Sequence, residues 1–212
     1  MRAHLQLLGL FALSLGLSVT FGAERQCACD YKKTWLDIVF IYDSSKKMNV
    51  TVFEEVRNFT AAVAREILIS QEDGAYSRIG VINGGEEAEV VADLTKYSSS
   101  EEAANEIHKI TYMNANNFNL RKSMLAARNM VEEAYKQRPN VKKLVIVFSG
   151  KSEDCVYQGK FQMKMVKPEE DQNPCRIASH IKENGGVVMT VGLKYDGKDT
   201  FPHMKFGSEC YR

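Results

Sequence analysis

Two serines and two histidines are the first side chains whose chemistry bears on function. Ser45 lies just past an apolar run, Leu36 to Tyr42, and Ser149 just past another, Lys143 to Phe148. A hydroxyl nucleophile needs a general base within hydrogen-bonding reach. The available histidines are His108 and His180, because His4 falls in the leader and His203 in the C-terminal tail. Both sit in helical stretches, where packing or surface exposure is the usual role. No Gly-x-Ser-x-Gly elbow, Gly-x-Gly-x-x-Gly loop or Walker loop occurs. A secreted hydrolase using Ser45 or Ser149 is kept only as an alternative, and the chain is expected not to be an enzyme.

Five cysteines come next: Cys27, Cys29, Cys155, Cys175 and Cys210. An odd number leaves at least one unpaired within the chain. Cys27-Ala28-Cys29 has one intervening residue, so it is neither a redox nor a zinc Cys-x-x-Cys pattern. Cys155 and Cys175 bracket a long polar stretch, and a bridge there would close a loop of about 20 residues worth roughly 3 kcal/mol. Cys210 is a candidate partner for Cys27 or Cys29, since domain termini often lie close together. The cysteine left over is either free or joins a second chain. Asn49-Val50-Thr51 and Asn58-Phe59-Thr60 are candidate glycan acceptors, Asn49 and Asn58, if the chain is secreted.

Secretion is what the N-terminus predicts. Arg2 precedes a mostly apolar stretch from Leu5 to Val19, followed by the small residues Gly22 and Ala23. That is the layout of a cleaved signal peptide over 1–22. About 15 apolar residues are too few to span a bilayer. Cleavage after Gly22 puts Thr20 and Gly22 at the two specificity positions. Cleavage after Ala23 would put bulky Phe21 there, so Gly22 is favoured. Loss of the leader removes one basic residue, Arg2, and leaves 27 of each sign. A neutral chain gives no electrostatic reason to expect nucleic acid as a partner. No membrane span is expected after signal cleavage.

The rest of the chain must position these groups. Four short runs rich in β-branched residues read as strands: Leu36 to Tyr42, Ser77 to Ile82, Lys143 to Phe148 and Gly186 to Val191. Their centres are nearly continuously apolar, as in parallel strands covered on both faces. Ala88 to Leu94 follows an Asn83-Gly84-Gly85 turn and is expected to pair antiparallel with the second strand. The short turn after Ile82 is expected to carry little. Val52, Val56, Phe59, Val63 and Ile67 predict one helical stripe, and Leu120, Met124, Ala127, Val131 and Ala134 another. Ser99 or Ser100 can cap a helix in between, and a further helix near Cys175 to Glu183 should stop at Asn184-Gly185-Gly186. Met and aromatic residues in these stripes are read as core. The order predicts an α/β fold with a doubly wound, mostly parallel open sheet, helices on both faces and one short antiparallel edge strand. Ligands of such folds bind at the carboxyl ends of the strands, so the loops after Tyr42 and Phe148 and before Leu120 matter most.

Those loops carry the resemblance. The phrase Trp35-Leu36-Asp37-Ile38-Val39-Phe40-Ile41-Tyr42-Asp43-Ser44-Ser45 resembles the von Willebrand factor type A domain. Asp93-Leu94-Thr95-Lys96-Tyr97, Ile107 to Tyr112 and Ile181 to Gly192 extend the likeness over about 34–200. The style is similar to type A domains of secreted nematode proteins, some of which carry a C-type lectin domain afterwards. Here 23–33 is a Cys-containing segment and 201–212 a short tail. Family members usually end on a further helix and strand, so the last strand is expected to be absent, leaving an exposed edge that would favour association. A truncated form of a longer protein is a further reading.

The resemblance implies a metal-ion-dependent adhesion site: Asp-x-Ser-x-Ser in the first loop, a Thr before the central helix and an Asp after the fourth strand. Such a site gives Mg²⁺ its octahedral oxygen shell. Asp43 and Ser45 match that pattern. Lys47, Phe118 (or Asn117, with a one-residue slip) and Gly150 stand at the other ligand positions. A remnant site without a metal is therefore expected, with Lys47 or Lys151 taking the cation's place on Asp43. The alternative is Mg²⁺ in a site rebuilt with Glu153 or Asp154. The resulting expectation is a secreted interaction module for an extracellular protein or glycoconjugate, needing no cofactor. Intact-mass analysis of the secreted protein should find an N-terminus at Ala23 or Glu24. Retention of Met1 would refute the leader.

Overall fold

The computed structural model describes residues 31–153, 173–194 and 201–208. The leader, Cys27, Cys29, Asp154, Cys155 and Cys210 lie outside the described residues. A short 3-10 turn, Tyr31–Lys33, leads into β1 (Leu36–Asp43), α1 (Val50–Glu66), β2 (Arg78–Gly84), β3 (Ala88–Ala92), α2 (Ser100–His108), α3 (Leu120–Gln137), β4 (Lys142–Ser149), α4 (Pro174–Glu183) and β5 (Val187–Gly192). The strands form one sheet in the order β3-β2-β1-β4-β5. β1 is parallel to β2 and β4, β4 is parallel to β5, and β3 runs antiparallel to β2 as a hairpin. The expected doubly wound α/β sheet is the one observed. Among the described residues no helix is long and apolar enough to cross a membrane.

The apolar strand centres are explained by burial on both faces. Along β1, Ile38, Phe40 and Tyr42 join the core under α1 and α2, while Val39 and Ile41 join the core under α3 and α4. This two-residue alternation puts Asp37 and Asp43 on the α3 side, one at each end of the strand. The α3 stripe falls where the sequence puts it: Leu120, Met124, Ala127, Val131 and Ala134 are all buried.

The α1 stripe is rotated from the expected one. Its buried residues are Phe53, Val56, Thr60, Ala61 and Ala64, with Ile67 buried just beyond its end. Phe59 is 56% exposed and only edges onto the Phe148 ring. Helical spacing permits either face. Small residues line the chosen one, and Thr60 is buried at no polar cost because its hydroxyl donates to the Val56 carbonyl at 2.8 Å.

The amino end of the sheet holds a buried ion cluster. Asp37 and Lys143 are cross-strand partners of β1 and β4, and both are fully buried. Asp37 Oδ2 lies 3.1 Å from Lys143 Nζ, and Oδ1 lies 2.7 Å from Arg138 Nη1. Lys143 also donates to the Arg138 and Val141 carbonyls and sits over the Tyr135 ring. Burial lowers the pKa of Lys143, and the Asp37 charge opposes that shift. Removing one partner of such a pair leaves an uncompensated buried charge. Asp37→Ala should therefore cost about 3–5 kcal/mol in urea unfolding. The apolar pair Asp37→Leu with Lys143→Met should recover most of it.

The short segment after β5 packs back onto the sheet. No strand follows β5 among the described residues, and 201–208 is held by packing and hydrogen bonds. Phe206 is buried among α4 and β5 side chains. Ser208 N–H donates to the Val188 carbonyl at 2.6 Å, and its hydroxyl accepts from Val188 N–H at 3.0 Å. Lys182 Nζ donates to the Phe206 carbonyl. Part of the β5 edge is thus covered by the chain itself.

Candidate functional site

Parallel register brings the site together. Tyr42 faces Phe148 and Asp43 faces Gly84, so the first loop emerges beside the ends of both neighbouring strands. Asp43, Ser44 and Ser45 are fully buried, and Ser149 nearly so. A buried carboxylate must be hydrogen-bonded, and Asp43 is. Its Oδ1 accepts from Ser45 N–H at 3.0 Å and from the Ser45 hydroxyl at 2.6 Å. Its Oδ2 accepts from the Ser149 hydroxyl at 2.7 Å and from Gly150 N–H at 3.3 Å. Ser149 Oγ in turn accepts from Lys151 N–H at 2.9 Å. One carboxylate thus fastens the loop after β1 to the loop after β4.

The loop before α3 is fastened to the same place. Ser44 Oγ accepts from Met113 N–H, the Tyr112 hydroxyl donates to the Ser45 carbonyl, and Lys46 N–H donates to the Ala115 carbonyl. Burial first, then the charge of Asp43, raises the pKa of the Tyr112 hydroxyl. The loop reverses at Asn114, whose φ of 53° is a left-handed value that asparagine accepts.

The β2–β3 turn does more than expected. The Gly84 carbonyl accepts from Ser44 N–H, and the Gly85 carbonyl from Asn119 N–H. A Cβ at Gly84 would lie 2.4 Å from the Phe118 ring and 2.7 Å from Ser123 Oγ. Glycine there makes room for the Phe118 ring at the end of β2. The sequence offers Asn83-Gly84-Gly85 only as a turn signal; its closeness to the site is a product of the register.

The von Willebrand factor type A domain pattern matches residues 37–209, most of the chain. The chain belongs to that family. Type A domains are commonly adhesion and protein-interaction modules. The mouse collagen alpha-1(XX) chain is 26% identical over 151 residues, 69% of this chain and 11% of the collagen. The chain thus spans about a tenth of that relative's length. Proximal thread matrix protein 1 from the mussel byssus, in a structure with a zinc-occupied MIDAS motif, superposes with a TM-score of 0.58 at 16% identity, over 74% of this chain and 38% of that one. An aerotolerance-related membrane protein from Bacteroides fragilis gives 0.51 at 11% identity, over 82% and 79%. These two likenesses show the fold.

Against the type A adhesion-site pattern, Asp43 and Ser45 stand together as expected. Lys47 is exposed, Asn117 is exposed, Phe118 is a buried ring, and Gly150 offers Asp43 only its N–H. Neither lysine expected on Asp43 is there. Lys47 points to solvent, and Lys151 Nζ lies 3.5 Å from the Phe118 carbonyl. The reason is that hydroxyls and backbone N–H groups already fill the carboxylate's acceptor sites. Ser149, absent from the expected ligand set, is one of them. Glu153 lies on the 149–153 loop with its backbone paired to His203 and Lys205. No three His, Cys, Asp or Glu converge among the described residues.

The other candidates fall elsewhere. Ser45 and Ser149 both donate to Asp43, and no histidine is their partner. His108 contacts Arg65, and His180 lies near Glu132 and Asn184. Cys175 is disulfide-bonded, and the other four cysteines lie outside the described residues. Asn49 caps α1, its Oδ1 accepting from Val52 N–H at 2.9 Å, and Asn58 is exposed on that helix. Ser149→Ala removes one donor from a buried charge, which should cost about 1.5–3 kcal/mol. Chemical denaturation would measure this, and a cost near zero would show that Asp43 is held by other means.

Proposed function

We propose that this type A domain is a secreted, non-enzymatic interaction module. It engages an extracellular protein or glycoconjugate at the carboxyl edge of its sheet and needs no resident metal. The observation that carries this reading is the saturated, buried Asp43 carboxylate. Mg²⁺ binding would have to displace the Ser45 and Ser149 hydroxyl protons' hydrogen bonds and still find more oxygens. Lys47, Phe118 and Gly150 supply none from their side chains, so the residues present do not fit the ion. The same burial argues against catalysis, because a substrate cannot reach Ser45 or Ser149.

Secretion is supported by the leader-like N-terminus and by relatives named as a collagen and a thread matrix protein. In that setting Asn58, exposed on α1, suits a glycan better than half-buried Asn49. The Cys155–Cys175 bridge remains the proposed partner assignment for the bonded Cys175. An adhesion site rebuilt around Glu153 is the second reading, because Glu153 lies on the loop that holds Asp43.

Calorimetric titration of Mg²⁺ and Mn²⁺ into the purified protein separates the two. No saturable binding tighter than millimolar is expected. Tighter binding that Asp43→Asn or Asp43→Ala abolishes would establish the rebuilt site.

A further inference from the structure

The two faces of the sheet are covered unequally at β4 and β5. On the α3–α4 side Val145, Val147 and Val188 are buried. Their neighbours on the opposite face, Leu144, Ile146, Val187 and Val191, are only partly buried, and Met189 is 47% exposed. Register sets Ile146 beside Met189 and Phe148 beside Val191, so these side chains form one apolar floor. Both helices on this side lie elsewhere. α1 runs along β1, and α2 packs on the far flank of α1, where Arg57 and Arg65 reach toward it. Among the described residues no element crosses β4 and β5 on that face. Parallel strands are almost always covered on both faces, and by helices.

α1 forms the wall of this floor. Of the apolar stripe read from the sequence, the fold buries Val56 and Ile67 but leaves Val52 and Val63 partly exposed and Phe59 mostly exposed. Phe59 touches the Phe148 ring, which puts this shoulder of the helix beside β4. Glu55 and Glu66 share the shoulder, four residues before Phe59 and seven after it. Both are exposed, and neither forms an ion pair among the described residues. Lys142 stands at the amino end of the floor, and Lys194 lies past the carboxyl end of β5 over the Phe201 ring. Asn58 precedes buried Thr60 by two residues, about 200° of helical turn, so a glycan there points away from the floor. The slot is two strands wide, about 10 Å, which is the diameter of one α-helix.

We infer that the slot between α1 and β5 receives an amphipathic helix of another protein, its apolar side chains on Phe59, Ile146 and Met189 and its basic side chains along Glu55 and Glu66. The surface lies on a face of the sheet, away from the loops that Asp43 joins, and so goes beyond the interaction reading above. A strand is a poorer occupant, because the segment ending at Ser208 already takes part of the β5 edge. A second copy is disfavoured. Its α1 would have to enter the slot with the outward side of the helix, which carries Glu54, Asn58 and Arg65. Apolar contact supplies the affinity, and the acidic wall selects a basic flank.

The full secreted chain can be titrated, by NMR or anisotropy, with a capped helical peptide of about 18 residues. It carries leucines at i, i+3, i+4 and i+7 and lysines along their margin. One control scrambles the sequence so that no apolar face forms, and another replaces the lysines with glutamates. The lysine peptide is expected to bind with a Kd below about 100 μM. The scrambled peptide should bind at least about tenfold more weakly and the glutamate peptide about fivefold more weakly. Phe59→Gln and Met189→Lys should each weaken binding about tenfold while moving the melting temperature by less than about 4 °C. No binding of the lysine peptide up to about 1 mM, equal binding of either control, or unchanged binding by both variants would overturn the inference. A larger fall in melting temperature in both variants would show that the chain covers the slot itself. A dimer in light scattering that Met189→Lys dissociates would show a second copy there. Either result overturns the external helix, and none of these outcomes bears on the metal titration, which tests the carboxyl edge.

Discussion

A carboxylate sealed away from water is the constraint around which the functional edge is built. Burying an ionised group is costly unless its lone pairs are met by donors. Asp43 is met by two hydroxyls and two N–H groups from residues 45, 149 and 150. Those donors come from two separate loops, so satisfying the charge fixes one loop against the other. The third loop is then anchored to Ser44 and Ser45 by Met113, Ala115 and Tyr112. Rim geometry therefore follows from one charge rather than from many weak surface contacts.

A second buried charge sits at the other end of the same strand. Asp37 faces Lys143 across the β1–β4 ladder, six residues from Asp43. A one-residue slip would turn both carboxylates to the wrong face and away from their partners. The apolar centre of β1, buried on both sides, tolerates slippage poorly in volume but has no polar penalty of its own. The polar ends supply that penalty. Register in turn decides that Gly84 lies beside Asp43, and glycine there makes room for Phe118.

The C-terminal residues connect to this edge as well. His203 and Lys205 pair with the backbone of Glu153, and Ser152 Oγ accepts from His203 N–H. Residues 149–153 are thus held from one side by Asp43 and from the other by the segment that covers β5. A strand edge that would otherwise offer free N–H and C=O groups is partly occupied by the chain's own backbone.

Much of the fold was legible in the residues. Continuous apolar runs specified parallel strands buried on both faces, and the Leu120-to-Ala134 stripe specified the inner face of α3. The pattern Asp43-x-Ser45 marked the functional edge. Three things were not legible. Phe59 outranks Thr60 and Ala64 in apolarity, yet close helix–sheet approach favours the small residues. Ser149 shows in the sequence as a possible nucleophile, because its role as a donor to Asp43 depends on parallel register. The lysines looked like substitutes for a metal on Asp43, but hydroxyls and N–H groups reach that carboxylate from shorter range. Sequence by itself determined which residues could be buried and which edge carries polar chemistry, because periodicity and residue type act locally. Only the tertiary structure decided which donor meets which acceptor. Hydrogen bonds need contact within about 3 Å, and residues 106 positions apart reach that only through the sheet.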